Sequence, residues 1–390
     1  MTAFDATFSS PSRLPPPASF EEGLRLVQAG NIEAAKSVFA RLVALNPHHT
    51  SAFKNLGFLT IQSGDVPGGA SILERAYQMN PDDDGIRTGY IQAHLFAAGH
   101  LNRQGNPGDA IRSLRKVLAL DPANDGARIE LTTCLARTGA PAVPGDYLPD
   151  PKIALGRHAL IACMPKSGST LLFETMCALT GWQKAYFSYA FLQNEQELYL
   201  PALQALAATD TVTQQHCRAT EPNIQLLQGF GITPVILIRN LFDIVMSLAD
   251  FYDKGAVANT FFSGHWADLG PEEKRDNIID HVMPWYLGFF ASWQSAIEGR
   301  RLNCLVVRYE DMIDDKPATL LSVMELLGLD STPGACEAAF RAVEGDPSGM
   351  TRLNRGVAGR GEDTLTAGQK DRLRRLSDSY RKIDFSPVGL

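Results

Sequence analysis

The sequence predicts two regions of different class: an all-α helical solenoid first, then an α/β region on a mostly parallel sheet. Three observations predict this. Glycine and proline markers recur in phase through residues 19–139. From about residue 155, short apolar runs alternate with helical patterns, the order that gives parallel strands joined by helices. The first of those runs stops in a turn of small polar residues that opens a helix.

Composition narrows the function classes. A chain of 390 residues has room for roughly two to three domains. Its apolar fraction of 45% and charged fraction of 20% are ordinary for a globular protein. The net charge of −7 disfavours a general nucleic-acid binder while leaving room for a local basic pocket. No apolar run reaches the length of a membrane span. The N-terminal sequence lacks the basic-then-apolar layout of a secretory signal, and the six cysteines form no CxxC pair. The expected setting is therefore cytoplasmic, with reduced thiols.

Residues 1–18 carry Pro11, Pro15, Pro16 and Pro17 and few large apolar side chains, and are expected to be a disordered lead. In residues 19–139, Asn46-Pro47, Asn80-Pro81 and Asp121-Pro122 close three segments. Gly30, Gly64 and Gly105 each lie 17 residues before the proline, and Gly139 follows Gly105 by 34. Five residues after the first three glycines stand small residues: Ala35, Gly69 and Ala110. The step from Gly64 to Gly105 is 41 residues rather than 34, which predicts about one or two extra helical turns near His94–His100. This helix, glycine turn, helix and proline layout resembles the tetratricopeptide repeat. Such helix pairs bury their apolar faces only by stacking. The resemblance implies either a stabilising scaffold or a groove for a protein or peptide partner.

Residues 140–154 are rich in turn formers and read as a linker. Beyond it, from residue 155 to 390, strands are expected at Ala159–Cys163, Thr211–Cys217, Pro234–Ile238 and Cys304–Val307. Helices are expected near Ser169–Thr180, Asn194–Leu206, Glu221–Gly229, Leu241–Phe251, Glu272–Glu298 and Ala318–Leu327. Ligands of such sheets bind beyond the carboxyl ends of the strands.

Four stretches carry chemistry, the first three at or just after those ends. After the first strand come Pro165, Lys166, Ser167, Gly168, Ser169 and Thr170. Backbone N–H groups at a helix start, one ammonium and three hydroxyls make an anion cradle, so a phosphate or sulfate ester is the expected ligand. A Walker A loop places its lysine after the last glycine, whereas Lys166 precedes Gly168. The second stretch is Val235–Leu248, where Arg239 ends a strand, Asn240 and Asp243 resemble a capping box, and Ser247 lies two turns on. In the third, Leu305–Met312, Tyr309, Glu310 and Asp311 follow a strand; the acids fit either solvated ends or a magnesium site. The fourth, Asn354–Thr366, is a glycine- and arginine-rich loop with Arg355, Gly356 and Arg360, suited to an anion, though Arg352 and Arg360 fit solvated surface charges equally. His216 stands at the end of the second strand and titrates near neutral pH, fit either for proton abstraction or for a hydrogen bond across the sheet.

Pro-Lys-Ser-Gly-Ser-Thr at 165–170 resembles the 5′-phosphosulfate loop of the sulfotransferases, and Arg239-x7-Ser247 matches the spacing that family uses for a 3′-phosphate. The resemblance covers most of residues 155–390 and implies a P-loop-like fold. The implied donor is 3′-phosphoadenosine-5′-phosphosulfate (PAPS), with 3′,5′-adenosine bisphosphate (PAP) as product and no metal in the chemistry. Lys166, Ser167, Gly168, Ser169 and Thr170 would hold the 5′ end. Arg239, Ser247, Arg355 and Gly356 would hold the 3′-phosphate, and Tyr309 would lie near the adenine. Lys166 and His216 would be catalytic, with His216 as base. Three departures stand out: Leu171 replaces an adenine-stacking tryptophan, Asn354 replaces a loop arginine, and Gln214 replaces a lysine two residues before the histidine. Other branches of the family use a glutamate base, so Glu174, Glu195 and Glu197 are rivals. The acceptor stays open among peptide, glycan, lipid and small phenol. The aromatic residues of Phe251–Trp293 fit either an acceptor pocket or core. The alternatives are an ATP- and magnesium-dependent phosphotransferase and a non-catalytic partner-binding protein.

Overall fold

The computed structural model describes residues 19–148, 153–189, 195–255, 266–345 and 358–390. The chain divides into two compact units, Met1–Thr138 and Gly139–Leu390.

The first unit is helical: α1 (Phe20–Gln28), α2 (Ile32–Leu45), α3 (Thr50–Gln62), α4 (Val66–Met79), α5 (Asp84–Arg103), α6 (Pro107–Leu120) and α7 (Asp125–Thr138), each packed on the next. Gly30, Gly64 and Gly105 lie between paired helices at φ 72°, 97° and 77°, with open space where a Cβ would sit. Backbone conformation rather than crowding requires glycine there. Asn46, Asn80 and Asp121 are the C-caps of α2, α4 and α6, and the proline after each forbids the helix from continuing. The small positions mark close helix approach. Ala35 and Ala110 are fully buried, and a Cβ on Gly69 would fall 2.6 Å from the Gly57 carbonyl oxygen. The extra turns of the longer repeat lie in α5, which runs 20 residues against 13 for α3. They include His94, buried against Tyr90 with ring centroids 4.5 Å apart and, among the described residues, no hydrogen-bond partner on either ring nitrogen. Desolvation brings its pKa down to about 4.

The second unit contains β1 (His158–Cys163), α8 (Ser169–Thr180), β2 (Gln183–Ala185), α9 (Leu200–Ala205), β3 (Thr211–Gln215), α10 (Glu221–Gly229), β4 (Val235–Ile238) and α11 (Leu241–Asp253). There follow α12 (Pro271–His281), α13 (Met283–Glu298), β5 (Leu305–Arg308), α14 (Tyr309–Asp314), α15 (Lys316–Leu326), α16 (Pro333–Glu344), α17 (Arg360–Thr364) and α18 (Ala367–Ser377). The five strands pair in the order β2-β3-β1-β4-β5, all parallel. Ala162 of β1 lies beside Gln215 on one side and Ile236 on the other, so the strand ends that carry the site are level. Central β1 is buried along its whole length, as expected of a strand covered on both faces. A cluster of α8, α14, α15 and α16 side chains, including Leu172, Met176, Met312, Leu320, Val323 and Phe340, packs on Ile161 and Leu237.

Several expected boundaries move, each for a local reason. The helix expected over Glu272–Glu298 is broken at Val282, because Pro284 lacks an N–H and clashes with a preceding turn. Helix α9 starts only at Leu200, with Pro201 in its first turn, and Leu198 instead bridges Ser188 in antiparallel fashion. Strand β3 stops at Gln215, since the N–H and C=O of His216 are taken by the Gln196 side chain and backbone N–H, each at 2.8 Å. Edge strand β2 is too short to announce itself. Residues 144–148, read as linker, are packed in place. Tyr147 and Leu148 are buried, and the Tyr147 ring lies against Gly229 and Phe230. Two large apolar side chains gain more from burial than an extended tether allows.

Candidate functional site

The cradle grows from the end of β1. Lys166 adopts φ 69°, left-handed for a residue that carries a Cβ, and Gly168 follows at φ 82° as the N-cap of α8. A non-glycine residue held there costs roughly 1–3 kcal/mol and persists only where its surroundings fix it. Among the described residues no side chain caps α8, which leaves its first N–H groups without a side-chain acceptor, the arrangement that favours an anion. Gly168 is required twice over, by its φ and because a Cβ would fall 2.8 Å from the Tyr309 ring. Ser167 holds its hydroxyl inward. Its hydroxyl donates to the Met164 carbonyl at 2.6 Å and is fully buried, so it braces the turn rather than offering a donor to a ligand. Ser169 Oγ accepts from Gln214 Nε2 at 2.9 Å, and Thr170 is half-buried beside it.

Arg239 draws three distant stretches together. Its Nη1 donates to the Lys166 carbonyl at 3.0 Å, its guanidinium carbon lies 4.1 Å from the Tyr309 ring centroid, and its Nη2 is 4.0 Å from Asp243 Oδ2. Tyr309 is the first residue of α14 rather than a strand end, and its ring fills the gap between Gly168 and the guanidinium. Burial pushes its pKa up, opposed by Arg239. Glu310, weighed as a magnesium ligand, instead accepts the Asn240 N–H at 2.9 Å, tying the end of β4 to the start of α14.

One face of α11 carries the rest, with Asp243, Ser247 and Phe251 at successive four-residue steps. The Lys166 ammonium lies 4.2 Å from the Phe251 ring centroid. Ser247 is buried two turns in. The expected capping box is only half present. Asn240 Oδ1 caps Phe242 and Asp243 N–H, but the Asp243 carboxylate does not return to Asn240. It accepts the N–H groups of Gly359 and Gly361, each at 2.7 Å. Arg360 pairs with Asp250 at 2.8 Å. Arg355 and Gly356, with Arg352 and Asn354, lie outside the described residues.

His216 sits just past β3 with Nδ1 2.9 Å from the Cys163 carbonyl oxygen. A carbonyl only accepts, so Nδ1 carries the proton and the lone pair of the neutral ring is on Nε2. Desolvation lowers its pKa against that hydrogen bond, which keeps the ring neutral near pH 7. The rival carboxylates are engaged. Glu174 pairs with Lys184 at 2.5 Å. Glu195 accepts from Arg218 and from Trp285 Nε1, the latter at 2.9 Å. Glu197 accepts from Thr220 Oγ1 at 3.1 Å, and its pKa is raised by desolvation.

The aromatic residues of α13 support the site from behind. Tyr286 donates to the Pro165 carbonyl at 3.2 Å, and Trp293 Nε1 to the Cys217 carbonyl at 3.0 Å. Phe261, Phe262 and His265 lie outside the described residues. Sequence reading missed Asp243, whose one signal was an apparent helix cap, and placed Tyr286 only among the aromatic residues that fit an acceptor pocket or core.

Fold and site together comprise a helical-repeat unit and an α/β unit with Lys166, Arg239 and the start of α8 at the ends of its parallel strands. Among the comparisons with known proteins, the family-model match falls within the first of these. The tetratricopeptide repeat family model matches residues 20–84. The chain is 27% identical over 171 residues to cellulose synthase 2 operon protein C of Komagataeibacter xylinus, covering 38% of this chain and 13% of that protein. It is 30% identical over 100 residues to tetratricopeptide repeat protein 36 of Mus musculus, covering 25% of this chain and 52% of that protein. The chain thus spans about an eighth and about half of these two relatives. A crystal structure of mouse sulfotransferase SULT7A1 complexed with PAP overlaps 60% of this chain and 87% of that one, at TM-score 0.47 and 16% identity. Among the described residues, no helix is long and apolar enough to cross a membrane.

Proposed function

We propose that the second unit is a PAPS-dependent sulfotransferase acting on a hydroxyl or amine acceptor. The observation that carries this reading is the convergence on Arg239, whose guanidinium meets the Lys166 carbonyl, the Tyr309 ring and the Asp243 carboxylate. A guanidinium braced on three sides beside an uncapped helix start suits a ligand with two separate anionic groups. The donor set fits that ligand: α8 N–H groups, Ser169, Thr170 and Lys166 for the 5′ end, and Arg239 and Ser247 for the 3′-phosphate.

A bound PAPS molecule supplies a sulfuryl group on a good leaving group. The residues of the chain do the rest. His216, neutral with its lone pair on Nε2, takes the proton from the acceptor as the acceptor oxygen or nitrogen bonds to sulfur. Lys166 and the N–H groups of α8 stabilise the charge that builds on the donor oxygen as its bond to sulfur breaks. Positioning and charge stabilisation dominate such transfers. We read the first unit as the partner- or acceptor-binding element; its helices α1, α3, α5 and α7 carry exposed Leu24, Phe58, Phe96 and Ile129. The six free thiols suit a reducing cytoplasmic setting.

The test is transfer from radiolabelled PAPS, in EDTA, to a panel of tyrosyl peptide, glycan, lipid and phenol acceptors. Labelling of any acceptor that disappears in Lys166→Ala supports the reading. Magnesium-dependent phosphoryl transfer from ATP would replace it.

A further inference from the structure

Asp243 belongs to none of the ligand-contact groups above, yet its carboxylate connects two of the elements around them. Oδ1 accepts the Gly361 N–H and Oδ2 the Gly359 N–H, both at 2.7 Å, while Arg239 Nη2 lies 4.0 Å from Oδ2. Asp243 is 2% exposed and Arg239 8%. Burying a carboxylate is costly unless it is hydrogen-bonded and paired. Helix capping does not explain it here, because Asn240 already serves that need. The far side is fitted to receive it. A Cβ on Gly361 would fall 2.2 Å from the Phe242 carbonyl carbon, so only glycine brings this N–H within reach. Gly359 takes φ 87°. Arg360, between them, is pinned to Asp250 on the same helix.

We propose that Asp243 is a positioning residue of the donor site. It fixes the Arg239 guanidinium and the Gly359–Gly361 segment in one arrangement, so that discrimination for a 3′-phosphate depends on its carboxylate. This rests on the sulfotransferase reading. The chemistry demands a carboxylate in particular. Asparagine has one acceptor oxygen, so its amide N–H₂ would face one of the two backbone N–H donors, and the charge opposite Arg239 would be lost.

The experiment measures calorimetric affinities for PAP and for 5′-AMP, which lacks the 3′-phosphate, in EDTA. The full-length wild type is compared with Asp243→Asn, Asp243→Glu and Gly361→Ala, with thermal melts read separately. Asp243→Asn is expected to weaken PAP about tenfold or more while 5′-AMP changes less than about threefold, collapsing the preference for the 3′-phosphate. Asp243→Glu, which keeps two acceptor oxygens, regains part of it. Gly361→Ala displaces the segment without touching the carboxylate and reproduces the loss. An unchanged PAP-to-AMP ratio in Asp243→Asn, or equal weakening of both ligands, overturns the proposal and leaves a purely structural role. Should Asp243→Asn not fold, an unchanged ratio in Gly361→Ala overturns it equally. Failure of the wild type to bind PAP overturns the donor reading itself.

Discussion

Glycines play opposite parts in the two units. Gly30, Gly64 and Gly105 turn the chain in open space, where nothing lies within 4 Å of a notional Cβ. Gly168 and Gly361 stand where a Cβ would strike Tyr309 or the Phe242 backbone. At these three repeat turns, glycine answers a local conformational need, so it recurs at a period and is visible in the sequence. Around the cradle it answers a contact made from far along the chain, and no period announces it. The difference teaches where each unit is vulnerable: repeat substitutions are expected to act on stability and, on the proposed function, cradle substitutions on ligand binding and turnover.

The sharpest separation is expected from His216→Ala, which should lower turnover by about 10²–10⁴-fold while PAP affinity, measured by calorimetry, stays near that of the wild type. The acid limb of its pH–rate profile should lie below the ordinary histidine value of 6.5, because burial lowers the His216 pKa and the base works only when neutral. Leu73→Ala, at a fully buried position of α4, should cost about 2–5 kcal/mol in chemical denaturation and leave PAP affinity unchanged. A change in affinity would break the separation between the units.

His94 sharpens it further. Its pKa is about 4 in the folded chain against 6.5 for an ordinary histidine. The unfolded chain therefore binds the proton first, and stability is lost as pH falls from about 6.5 toward 4. His94→Leu should remove a loss on the order of 3 kcal/mol, read as the wild-type minus variant difference in unfolding free energy at pH 7 and at pH 4.5. Gly64→Ala is the mildest case, expected to cost about 1 kcal/mol through backbone strain alone and to shift only the melting temperature.

The sequence made the repeat unit legible because its signals are local: a left-handed glycine, a proline after each cap, a small residue at each helix contact. Even the extra turns of α5 followed from a spacing of 41 residues. The strands of the α/β unit were legible as buried apolar runs, with edge strand β2 too short to register. Of the site, the cradle and Arg239 stood out because charge at the end of an apolar strand is conspicuous. What stayed hidden was what each group touches. Ser167 turned inward, Asp243 reached across more than a hundred residues to Gly359, and Tyr286 braced the Pro165 carbonyl. Such pairings depend on tertiary approach, which spacing along the chain does not encode.

The central claim is that the distant stretches meeting at Arg239 form one site for a nucleotide with 3′ and 5′ anionic groups. Calorimetric titration with PAP in EDTA, comparing wild type with Arg239→Ala, tests it most directly. The account predicts metal-independent binding by the wild type and a loss of roughly a hundredfold or more in the variant, as expected for removing a buried charge-assisted contact. No binding to the wild type, or equal binding by both proteins, would contradict it.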